Sequence, residues 1–277
     1  MRTSLLLILP IVFLSTACLA QDTEKNAGEH RIPFQYSIEE FGEARVTTVA
    51  KTRVDETADG SFPIDAPAHT CFHLEAKRPL PALEKGSRYF HPAYSFICIV
   101  PTFDPTEDDF AAAYPNFSKA VELIRKLVNE KPEHFRQFKD VFDFPYNNAG
   151  WSIRAKEEYL SYSNINGVLF VTQYSQELLP NPLNNEELTA NFQGLTQDGK
   201  YYVGARFSVI HDELPTGIDF VDGSIREKCL EYEYPEINDC VGEYLDSESE
   251  RLQKFRDEEF RPSLNTIKTL ISTISPK

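Results

Sequence analysis

The chain predicts an α+β fold, an antiparallel meander sheet packed by helices within a single domain, and three observations carry that expectation. Asp198-Gly199 supplies the residues of a tight hairpin, and Tyr201, Val203, Ala205, Phe207 and Val209 alternate after it as one face of a strand. Segments of similar character at 151–162, 167–174, 187–195 and 200–210 read as four consecutive strands. Helical periodicity is confined to separate blocks, which excludes the alternating order of a parallel α/β sheet.

The elements follow in chain order. Residues 34–100 have β character punctuated by Asp59-Gly60 and by Pro63 and Pro67, and 69–74 and 94–100 read as paired strands. A helix is expected over 119–130, because Val121, Ile124, Leu127 and Val128 share one face; Ser118 is its expected N-cap and Pro132 its stop. Within the meander, the run Asn164-Ile-Asn-Gly167 fits a hairpin turn and 180–185 a longer loop. Two closing helices are expected at 246–258, with Leu252 and Phe255 inward, and at 262–274, opened by Pro262.

The N-terminus reads as an export signal over 1–20: Arg2, then an apolar stretch from Leu5 to Leu14, then small residues. That stretch is shorter than the roughly 20 residues that span a bilayer. Two cleavages compete, one before Cys18, which would then carry lipid, and one after Ala20, which would release the chain. Residues 21–33 read as a flexible tether and 34–277 as the domain, elaborated by a loop at 217–242. Cys71, Cys98, Cys229 and Cys240 then form an even set in an oxidising compartment, with Cys71–Cys98 and Cys229–Cys240 the expected pairs. No Cys-x-x-Cys spacing is present, so a zinc ribbon is excluded and no cofactor is expected. With 28 basic and 43 acidic residues the formal charge is −15, which argues against nucleic acid as a partner and leaves a lipid anchor as the expected route to a membrane.

The block Phe192-Gln-Gly-Leu-Thr-Gln-Asp-Gly-Lys-Tyr-Tyr-Val203, followed by His211 and by Leu214-Pro215, resembles an uncharacterised family of bacterial secreted proteins and lipoproteins with a similar "FQGLTxDGKYYV" block. The resemblance runs over about residues 94–214 and returns weakly at 260–274, with Leu169 where the family commonly has Arg. It implies export but no activity, so it supplies no functional residues.

Glycine-rich phosphate loops, nucleophile elbows and the His-Glu-x-x-His pattern are absent from the sequence. His211, with Asp212 and Glu213 beside it and His91 as a further partner, is the best acid–base candidate. His69 and His73 are four apart on an expected strand, about 13 Å, too far to share one ion. Asp219, Asp222, Ser224 and Glu227 lack the spacing of a calcium loop and read as a solvated acidic loop. Tyr159, Tyr162, Tyr174, Tyr201 and Tyr202 fall on neighbouring strands, where they either pack or form a platform for a glycan or protein. The sequence therefore points to an exported or lipid-anchored binding domain for protein or glycan. A hydrolase built on His211 and nearby carboxylates is the alternative.

Overall fold

The computed structural model describes residues 41–52, 65–76, 95–133, 144, 150–175, 182–217, 227–229, 231–232 and 236–275, all within one compact unit from Ile32 to Lys277. The expected signal, Cys18, the tether, His91 and the acidic run 219–224 lie outside the described residues.

Seven strands form one antiparallel sheet: β1 (Phe41–Val49), β2 (His69–Ala76), β3 (Ser95–Pro101), β4 (Gly150–Ser161), β5 (Ile165–Ser175), β6 (Leu188–Thr196) and β7 (Tyr201–Ser208). Their spatial order is β1-β2-β3-β7-β6-β5-β4, so two meanders meet where β7 pairs with β3. Between them lie α1 (Phe110–Ala113) and α2 (Pro115–Glu130); after them come β8 (Ile210–His211), α3 (Glu236–Lys254), a 3-10 turn (Asp257–Glu259), β9 (Phe260–Arg261) and α4 (Leu264–Ser272). Strands grouped apart from helices make the fold α+β, as expected.

Both faces of the sheet are buried against helix. On one, Cys71, Cys98, Val168, Phe170 and Tyr202 pack against Phe117, Val121, Ile124 and Leu127 of α2. On the other, Ile97, Ile99, Val171, Phe192, Val203 and Phe207 pack with Leu252 of α3 and Ile267, Leu270 and Ile271 of α4. Fully burying each such side chain contributes about 1.5–3 kcal/mol relative to leaving it exposed.

The Phe192–Val203 block is built for this architecture. Gly199 has φ +68° at the β6–β7 turn, and Asp198 Oδ1 accepts from both Thr196 Oγ1 (2.7 Å) and the Lys200 amide (3.1 Å). Gly194 faces Gly167 across β5–β6, and the Phe192 ring lies over the pair so closely that a Cβ on either would sit about 2.5 Å from it. Gln193 points to the opposite face, where its Oε1 accepts from Tyr202 Oη and from the Phe144 amide.

Several boundaries differ from those expected. Gly167 lies inside β5, not in a turn; the chain reverses over Tyr162–Ile165, where the Tyr162 amide donates to the Ile165 carbonyl. Helix α2 starts at Pro115, and Ser118 does not cap it. The cap arrives from elsewhere: buried Asp65 accepts from the Asn116 (2.9 Å) and Phe117 (3.3 Å) amides. Helix α3 begins at Glu236, ten residues before the expected start, so part of the expected 217–242 loop is helix. Gly242 and the many acids obscure its stripe of Tyr244, Leu245, Ser249 and Leu252. Ser263, not Pro262, caps α4, with Oγ accepting from the Thr266 amide.

Both expected disulfides are present. Cys71–Cys98 joins directly opposed residues of β2 and β3, and Cys229–Cys240 ties the helical residues 227–229 to α3. Among the described residues no helix is long and apolar enough to cross a membrane.

Candidate functional site

Strand β8 and β9 bring His211 beside Phe260. The imidazole is 3% exposed, stacks flat on Phe255 at 3.6 Å between ring centres, and meets the Phe260 ring edge-on at 5.3 Å. Its Nδ1 accepts from the Glu213 amide (3.2 Å), so the neutral ring carries its proton on Nε2, which lies 3.8 Å from Glu259 Oε2. Burial lowers the His211 pKa, and the carboxylates of Glu213 and Glu259 pull it back up in part. Both Glu259 oxygens also accept from Arg256. Asp212 points the other way, 76% exposed and paired with Arg261. His211, Asp212 and Glu213 therefore do not converge on a reacting position; the ring is clamped in an aromatic stack, with Asn185 bridging the His211 and Leu214 carbonyls.

The tyrosines divide between the faces. Tyr202 is fully buried under α2. Tyr159, on the same face, donates to the Pro132 carbonyl (2.8 Å), and burial together with Glu157 pushes its pKa up to about 12. Tyr162 and Tyr201 pack on the opposite face. One platform holding all of them is thus not formed, because side chains alternate along each strand and a bulge between Ala155 and Glu158 shifts the phase in β4.

Tyr174 belongs to a different arrangement. The register places Arg45, His73, Phe96, Arg206 and Asn191 opposite one another across β1, β2, β3, β7 and β6. The Arg206 guanidinium carbon lies 4.6 Å from the centre of the Tyr174 ring and 5.6 Å from that of Phe96. Its Nε donates to Asn191 Oδ1 (3.2 Å) and its Nη2 approaches Tyr174 Oη (3.4 Å); that hydroxyl also lies 3.2 Å from Asn191 Oδ1. His73 shares a 3.0 Å hydrogen bond with Thr47, and burial and then Arg45 lower its pKa. Tyr174, Phe96, Arg206 and His73 are partly exposed and Arg45 is exposed. Among the described residues neither Arg45 nor Arg206 is paired with a carboxylate, in a chain whose formal charge is −15. Two cations, one fixed between rings, thus stand on a row that is buried at Asn191, partly exposed at Arg206, Phe96 and His73 and exposed at Arg45.

Sequence reasoning found Tyr174 but neither Phe96 nor Arg206. Their meeting depends on the β3–β7 pairing, which joins segments about a hundred residues apart and leaves no local signal. Comparison with protein-family models, curated proteins and solved structures finds no match.

Proposed function

We propose that this chain is an exported, non-enzymatic binding domain that takes an anionic group of a protein or glycan partner on the row formed by Arg45, His73, Phe96, Arg206 and Tyr174. The observation that carries the reading is Arg206. An arginine flexible in solution loses side-chain entropy on binding, whereas this one is already held by Asn191 and two rings and keeps a partly exposed edge. Its planar donor fork matches a carboxylate, and the flanking rings offer apolar faces to a sugar or a side chain. The disulfides and the N-terminal sequence support export. The clamped His211 favours the binding reading over the hydrolase.

Arrays of neutral and uronic-acid glycans, and of acidic and neutral peptides, probed with the purified domain, test this. Retention is expected on acidic members, and Arg206→Gln should weaken it about tenfold or more, the loss of one charge-assisted hydrogen-bonded contact. Equal retention by the variant, or a preference for neutral members, overturns the proposal.

A further inference from the structure

We propose that the same domain, when its Cys71–Cys98 bond is reduced, holds one zinc ion between the two sulfurs and His69. Residues 69 and 71 are two apart on β2 and so project to one face, and Cys98 stands directly opposite Cys71 on β3. A ring nitrogen of His69 and both sulfurs lie within 4.8 Å of one another, and all three residues are buried. One ring nitrogen of His69 is engaged by the backbone. Its Nδ1 lies 2.9 Å from the Pro67 carbonyl, so the ring proton sits there and donates, leaving the lone pair on Nε2. A carbonyl on one nitrogen that orients the other is the usual support of a metal-bound imidazole. Phe144, 5.2 Å away and nearly perpendicular, braces the ring.

The chemistry balances with a dithiol as reductant. It delivers two electrons and two protons to the S–S bond and becomes a disulfide itself, leaving two protein thiols. Zinc binding then releases both thiol protons to solvent, and two thiolates neutralise the charge of the dication. A neutral centre suits a buried position, where net charge is costly. Two thiolates and one imidazole are a known zinc donor set with a fourth position left open. Bond and ion exclude each other, so the β2–β3 pair is cross-linked covalently in the oxidised chain and by metal in the reduced one.

Zinc titration of the full chain against a chromophoric chelator, after reduction by a phosphine under inert gas, tests the proposal; cobalt substitution reports thiolate ligation. Expected is one zinc per reduced chain above the uptake of a Cys71→Ser/Cys98→Ser variant, which retains Cys18, Cys229 and Cys240 as background. His69→Ala should lower the affinity by about tenfold or more. The oxidised chain should lack this site. No zinc above that background, an unchanged affinity in His69→Ala, or loss of the far-ultraviolet dichroism on reduction without metal uptake overturns it.

Discussion

Burial sets the charge of His211. Stacked on Phe255 and closed in by Phe260, the ring is held neutral below its ordinary value of 6.5, despite the pull of Glu213 and Glu259. A histidine whose pKa is lower folded than unfolded binds more protons in the unfolded chain. Its stabilising contribution is therefore complete above about 6.5 and is lost as pH falls toward the folded value. His69 and His73 are shifted the same way. Thermal unfolding should accordingly move to lower temperature between pH 7.5 and 5.5. His211→Asn keeps an acceptor for the Glu213 amide but cannot titrate, so its melting temperature should fall less steeply over that interval. An identical slope in the variant would assign the acid sensitivity elsewhere.

Elements in this fold are finished by residues far from them in sequence, which decides what was legible beforehand. The apolar stripe of α2 and the Asp198-Gly199 turn are local signals, and both appear where expected. The cap of α2 is not local: Asp65 reaches it across more than fifty residues, and the nearby Ser118 only looked the part. Strand β4 is similar. Its bulge holds Lys156 at φ +58°, where the amide donates to Gln253 and the ammonium to the Phe255 carbonyl and Asp257, tying the sheet edge to α3 and the 3-10 turn. Of the row proposed to bind, periodicity gave Tyr174 alone, since the pairing that brings Arg206 beside Phe96 is tertiary. Urea unfolding separates the local and distant caps. Asp65→Ala should cost about 1–2 kcal/mol by freeing two helix-start amides, whereas Ser118→Ala should stay within about 0.5 kcal/mol. The reverse order would return the cap to Ser118.

For the whole molecule the question is where the domain is held. A 246-residue unit from Ile32 to Lys277, stapled by two disulfides, can meet a partner either free or confined to a membrane surface. Confinement raises the effective concentration of a modest binding site without any new contact. If the chain is cut before Cys18 and lipidated there, the acyl chains would contribute about 0.8 kcal/mol per buried methylene. Cells grown with labelled palmitate should then yield a labelled protein that partitions into detergent, and Cys18→Ala should abolish the label and either retain the precursor or divert cleavage to Ala20. A native mature chain that begins at Gln21 excludes the anchor, because Cys18 would have left with the signal. The binding row would then work on a freely diffusing domain, and its affinity would have to come from Arg206 and its neighbours without help from confinement.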